Sequence, residues 1–111
     1  LTDAVIATTD ADLFTGAELG AWTQVRAAAR LARMGCDAYA YAMLAAGRID
    51  LVAESGLKVW DWSALVPVIE AAGGEVTNWR GETPDGNGQI LAVGDAGIRE
   101  QALITLRRAA L

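Results

Sequence analysis

Histidine is absent from this chain, and cysteine occurs once, at Cys36. Without histidine there is no Ser-His-Asp triad, no Cys-His nucleophile pair and no zinc site with an imidazole ligand. One thiol cannot form an internal disulfide, so the expected setting is reducing and cytoplasmic rather than a secreted disulfide framework. Proline is almost missing as well, with Pro67 and Pro84 alone, and together with 12 glycines it is too little for a collagen-like or low-complexity chain. No apolar run approaches the roughly 18 residues of a membrane span. The longest, Ala38 to Ala46, stops at Gly47. No basic segment precedes an apolar stretch near Leu1, so neither a signal peptide nor a membrane partner is expected. Positive charge is scarce: 9 Lys+Arg against 14 Asp+Glu leave a net charge of -5. There is no basic stripe to neutralise the phosphates of a nucleic acid.

What remains is a composition that folds, with 53% hydrophobic and 21% charged residues. A chain of 111 residues suits a single domain spanning residues 1–111. The β-rich run Ala4 to Thr9 reads as a buried strand, followed by the polar connection Asp10 to Gly16. Thr15, three residues before Glu18, predicts a capping box opening a helix over about 17–29, with Ala17, Ala21, Val25 and Ala28 as its apolar stripe. Arg30 to Met34 suits a second strand closed by Gly35. Asp37 to Ala46 is almost wholly apolar and predicts a helix packed on most of its surface, stopped by Gly47. Ile49 to Glu54 resembles an inner strand ending in an acid, and Ser55 to Val59 a loop. A helix from Asp61 to Ala72, capped by Asp61 or Ser63, should bend at Pro67 and end at Gly73-Gly74. Strands at Glu75 to Trp79 and Gln89 to Val93 flank a turn at Pro84-Asp85-Gly86, and a helix over Ile98 to Ala109 ends the pattern. Strands alternating with helices predict an α/β layered domain with about five strands and four helices.

Three places in this pattern could carry chemistry, and each also has an ordinary structural explanation. Asp61, between Trp60 and Trp62 where a loop enters a helix, could bind a hard divalent cation or simply cap the helix. Glu54 could hold a substrate hydroxyl or amine, or be a solvated strand end. Gly35-Cys36-Asp37 opens a helix, so its backbone N–H groups could face a ligand with Asp37 as acceptor, or Asp37 could cap while Cys36 packs as a small apolar residue. Cys36 has no histidine to activate it and is excluded as a nucleophile. Tyr39 and Tyr41 suit the core, Asp85 to Gly88 suits a turn, and Arg107-Arg108 complements a helix end.

The order of these features says more than any one of them. Arg33-x-Gly35-Cys36-Asp37-Ala38, then Ala45-Ala46-Gly47-Arg48-x-Asp50, then Glu54, then Trp60-Asp61-x-x-Ala64, then Glu70-Ala71-x-Gly73-Gly74 closely resembles the C-terminal half of the inositol monophosphatase family. The resemblance covers nearly the whole chain. The segments from Gly35 to Tyr41 and from Ala64 to Glu70 look most like the bacterial histidinol-phosphatases of that family. It implies the C-terminal half of an α-β-α-β-α layered sandwich and a magnesium-dependent phosphate monoester hydrolysis. It implies Asp61 as a metal ligand, with Glu54, Asp37, Cys36 and Gly35 around the alcohol part of a small phosphorylated substrate. Where Asp37 stands, inositol-specific members usually carry small uncharged residues. An extra carboxylate suits the cationic amine and imidazole of histidinol phosphate better than a neutral polyol. The resemblance also implies a homodimer.

The family's other metal ligands sit in a Glu-Glu pair and an Asp-Pro-(Ile/Leu)-Asp-Gly-Thr run, and neither motif occurs here. One carboxylate cannot hold a magnesium cluster, so catalysis would require an N-terminal half of the same enzyme as partner, and the chain alone should be inactive. The expectation is that this is the C-terminal segment of a longer phosphatase. An apolar face should stand exposed where the other half would pack. Alternatives are a monophosphatase acting on inositol 1-phosphate, a nucleotide bisphosphate or another small ester, and a non-catalytic α/β interaction module.

Overall fold

The structure is a computed structural model that describes residues 1–35 and 37–111, with only the backbone of Asp37 and Ala38. All five expected strands are present: β1 (Val5–Thr8), β2 (Leu31–Met34), β3 (Leu51–Glu54), β4 (Glu75–Thr77) and β5 (Ile90–Val93). They form one sheet in the order β2-β1-β3-β5-β4. β2, β1 and β3 run parallel, whereas β5 is antiparallel to both β3 and β4. The helices are α1 (Gly16–Ala28), α2 (Asp37–Ala45), α3 (Val59–Trp62), α4 (Val66–Ala71) and α5 (Ala96–Leu106).

Helices cover both faces of the sheet, which explains why β3 and β5 are apolar runs rather than alternating ones. Successive strand residues point to opposite faces. Ile6, Leu51, Ala53, Leu91 and Val93 therefore meet Trp22 and Val25 of α1 and Leu103 and Leu106 of α5. Ala7, Val52, Ile90 and Ala92 meet Ala40, Tyr41 and Leu44 of α2 and Ile69 of α4. Three layers result, in agreement with the expected α/β sandwich.

The local differences from the expected pattern have clear causes. In α1 Ala21 and Val25 of the expected stripe are buried, but Glu18 and Trp22 join them in place of the exposed Ala17 and Ala28. Both stripes have helical spacing, but burying Trp22 removes far more apolar area than burying Ala17 or Ala28. α2 is buried along Ala40, Tyr41 and Leu44, while Tyr39 and Ala42 on its outer side are exposed, so it packs on one face. The helix expected over Asp61 to Ala72 is two helices, α3 and α4, separated at Ser63–Leu65. Pro67 lies in the first turn of α4, where its missing N–H has no intrahelical partner to lose.

Gly73 and Gly74 close α4 for two separate reasons. Gly73 has φ 89°, and the N–H groups of Gly73 and Gly74 donate to the carbonyls of Glu70 and Ile69 at 3.0 and 2.9 Å, a Schellman ending. At Gly74 the limit is space: a Cβ would fall 2.6 Å from the Val93 carbonyl oxygen and 2.8 Å from Ile69 Cγ2. Gly74→Ala should therefore cost about 1–3 kcal/mol by overpacking. Gly94→Ala, with nothing within 4 Å of the new Cβ, should stay within about 0.5 kcal/mol of the parent. Denaturant unfolding of the two variants checks this contrast.

Candidate active site

The carboxyl ends of the parallel strands β2, β1 and β3 lie side by side. The chain leaves β1 towards α1 on one face, whereas β2 and β3 feed α2 and then α3 and α4 on the other. Such divergence opens a crevice at the strand ends, where ligands bind in open α/β sheets. A ladder of contacts crosses it. Gly35, at φ 84°, donates its N–H to the Thr9 carbonyl at 2.8 Å. Thr9 donates its N–H to Glu54 Oε1 at 3.0 Å, and the Tyr41 hydroxyl of α2 donates to Glu54 Oε2.

Glu54 is only 3% exposed, so it is no solvated strand end. It shares the face of Val52, which aims it at the α2 layer. A buried carboxylate needs such donors to offset its lost hydration. Tyr41 is held protonated: burial first, then the charge of Glu54 and the hydrogen bond to it, and last the charge of Asp61, all push its pKa upward. That contribution of Asp61 ties the α3 carboxylate electrostatically to the same hydroxyl.

Asp61 is exposed in α3, and its Oδ2 accepts the Lys58 N–H at 2.8 Å. Asp61 is therefore the third residue of a helix that starts at Val59. It reaches back to cap the backbone instead of preceding the helix, and Ser63 lies beyond its end. Oδ1 has no partner among the described residues and is available to a ligand. Gly35 sits at the crevice, and Asp37 begins α2 beside it. Cys36 and the Asp37 side chain lie outside the described residues. An open cavity of about 270 Å³ adjoins the site between the Gly56 to Trp60 segment and the Gly86 to Gly88 turn.

A metal ion is poorly served by these residues alone. Among the described residues no three or more His, Cys, Asp and Glu side chains are grouped to hold one. Asp61, with one oxygen committed to the backbone and the other open, fits as a single ligand in a site completed from elsewhere.

Two features were not read from the sequence. Tyr41 lies in the core as expected, but its hydroxyl is also the donor to Glu54, and Tyr39, expected in the core as well, is 68% exposed. Residues two apart on a helix lie on different sides, which was the available signal. Glu18, expected only as a capping residue, is 6% exposed and also binds Ser55 and Gln89.

The chain matches the inositol monophosphatase family over residues 2–110 and belongs to that family. The family is one of phosphatases whose enzymes use divalent metals. Among curated proteins, the chain is 43% identical to the chloroplastic bifunctional phosphatase IMPL2 of Arabidopsis thaliana, over 96% of this chain and 33% of that protein. It is 34% identical to a histidinol-phosphatase of Chlorobaculum parvum over 62% of this chain and 27% of that protein. Its fold matches an inositol monophosphatase from Zymomonas mobilis with TM-score 0.92 and 36% identity, over 96% of this chain and 43% of the other. The chain thus spans about a third of the length of the curated relatives it matches. No helix among the described residues is long and apolar enough to cross a membrane.

Tyr41→Phe leaves a buried charge short of one donor and should destabilise the chain by about 1–3 kcal/mol in denaturant unfolding. Because the folded state holds the Tyr41 proton more tightly than the unfolded state, this phenol favours folding below the ordinary tyrosine value of 10.0 and loses that contribution as pH rises above it. In an alkaline titration, the tyrosinate absorbance that Tyr41→Phe removes should appear only as the parent chain unfolds.

Proposed function

We propose that this chain forms one wall of a magnesium-dependent phosphate monoester hydrolase acting on histidinol phosphate, as part of a cytoplasmic histidine-biosynthesis enzyme. In this reading the chain is the C-terminal segment of the enzyme, and an N-terminal half supplies the remaining metal ligands and the phosphate cradle. The observation that carries the reading is the buried Glu54 carboxylate at the carboxyl ends of three parallel strands, with Gly35 and the start of α2 beside it and Asp61 close enough to act on the same tyrosine. The phosphatase names of both curated relatives support it, one of them a histidinol-phosphatase. So do the exposed Val59 and Trp60, the latter 77% exposed, which flank Asp61 in α3 as apolar surface for a further segment to cover. A homodimer is proposed by family resemblance alone.

Each residue has a distinct part in the proposed chemistry. Asp61 would hold Mg2+ through its open oxygen while its other oxygen stays on the Lys58 N–H, which fixes the carboxylate's orientation. Bound magnesium would supply charge neutralisation of the phosphoryl oxygens and an acidified water. Glu54, oriented by Thr9 and Tyr41, would accept a hydrogen bond from the hydroxyl or amine of the substrate's alcohol part. The positive φ of Gly35 turns the chain sharply from β2 towards α2, leaving room for that group. Asp37 would pair with the substrate cation and so set the preference over a neutral polyol, and Cys36 would line the same pocket.

Phosphate release with Mg2+, measured on the chain in its complete coding context, tests the reading. Histidinol phosphate should be turned over well ahead of inositol 1-phosphate, and the reverse order overturns the substrate assignment. Asp61→Asn should lower kcat/KM by on the order of 10²-fold or more with the circular dichroism spectrum unchanged. Asp37→Ala should impair histidinol phosphate turnover about tenfold more than turnover of a neutral ester.

A further inference from the structure

Glu18 is a buried carboxylate with no use in the chemistry above. Its Oε1 accepts from the Thr15 N–H at 3.1 Å and from Thr15 Oγ1 at 3.0 Å, as a capping residue should. Its Oε2 accepts two further bonds, from Ser55 Oγ at 2.6 Å and Gln89 Nε2 at 2.7 Å. The ion pairs of Arg80 and Arg99 lie elsewhere on the surface, so all four donors to Glu18 are neutral. Capping requires only the Thr15 contacts and is ordinarily done by a solvated side chain. An apolar residue of similar volume would fill this place without the cost of burying a charge. What a carboxylate adds is directional grip on the two strand ends that it touches.

Those ends are the ones that matter to the crevice. Ser55 follows Glu54 directly, and strand alternation sends the two side chains to opposite faces of the sheet. Glu54 is held on the α2 side by Tyr41, and Ser55 is held on the α1 side by Glu18. The next residue, Gly56, has φ 76° and offers no side-chain restraint of its own. Gln89 carries the grip across to β5: it also donates to the Ala109 carbonyl at 2.9 Å. Beside it, Gly88 accepts the Leu57 N–H at 3.2 Å.

We propose that Glu18 is a positioning residue for Glu54: through Ser55 and Gln89 it clamps the end of β3 from the face opposite the substrate, and so fixes where the Glu54 carboxylate stands. The direction of the Glu18 pKa agrees with a carboxylate acceptor. Burial pushes it up, but the bonds from Ser55, Gln89 and Thr15 outweigh this and bring it below the ordinary value of 4.5. The proposal rests on the reading of Glu54 as a substrate contact.

A double-mutant cycle in the full-length phosphatase tests both, with histidinol phosphate and Mg2+ as the assay. Ser55→Ala removes one bond and leaves Glu18 capped, so the protein should remain folded by circular dichroism. It should raise KM about tenfold, with kcat changed much less. In a Glu54→Gln background the same change should have no further effect, because the group it positions is no longer the ionised acceptor. Glu18→Gln should behave in the same way, with an added loss of thermal stability. An unchanged KM in Ser55→Ala, or an equal loss with and without Glu54, overturns the positioning role while leaving the substrate-contact reading intact. If Glu54→Gln by itself leaves kcat/KM unchanged, the reading of Glu54 fails, and the inference falls with it.

Discussion

A charged carboxylate at the end of a strand covered on both faces by helices has to be compensated on the spot. Glu54 is such a group, and its two donors come from separate elements: the backbone after β1 and the middle of α2. Satisfying it therefore fixes how far β1 extends alongside β3 and how α2 lies on the sheet. Gly35 joins the same arrangement through the Thr9 carbonyl, which sets where β2 ends and α2 can begin. The elements that meet at the strand ends are thus tied together by hydrogen-bonding one buried carboxylate.

The opposite face repeats the solution with Glu18, whose bonds reach Ser55 and Gln89. Between them the two carboxylates hold the point where β3 gives way to the loop that leads through Lys58 into α3 and Asp61. Asp61 itself stays exposed, with one oxygen on its own helix start. Two anions are buried and immobilised, and the third is left open. That division suits buried groups that orient and an exposed group that binds a cation supplied from solvent.

Apolar side chains around this edge give the site its unfinished look. Tyr39 in α2 and Val59 and Trp60 in α3 stand exposed near the carboxyl ends of the parallel strands. A recess of about 220 Å³ at the other end of the sheet has Asp50 and Asp95 in its lining. Both of those acids are tied to backbone N–H groups, of Val5 and Gly97.

The sequence by itself determined the order of strands and helices, because glycine stops, capping residues and apolar runs act locally. It also carried the spacing of Asp61 from Gly73-Gly74, which places the chain in its family. The structure adds why Gly74 is required there: the Val93 carbonyl leaves no room for a Cβ. Periodicity could not tell that α1 turns Trp22 and Glu18 inward in place of Ala17 and Ala28, nor that the helix after Trp62 breaks before Pro67. Those outcomes depend on which partner face offers the larger apolar contact. Only the tertiary structure decided that Glu54 is buried, that Tyr41 is its donor and that Glu18 reaches Ser55. These bonds join residues 13 and 37 positions apart, and sequence patterning records which face a side chain occupies, not which distant face it will meet.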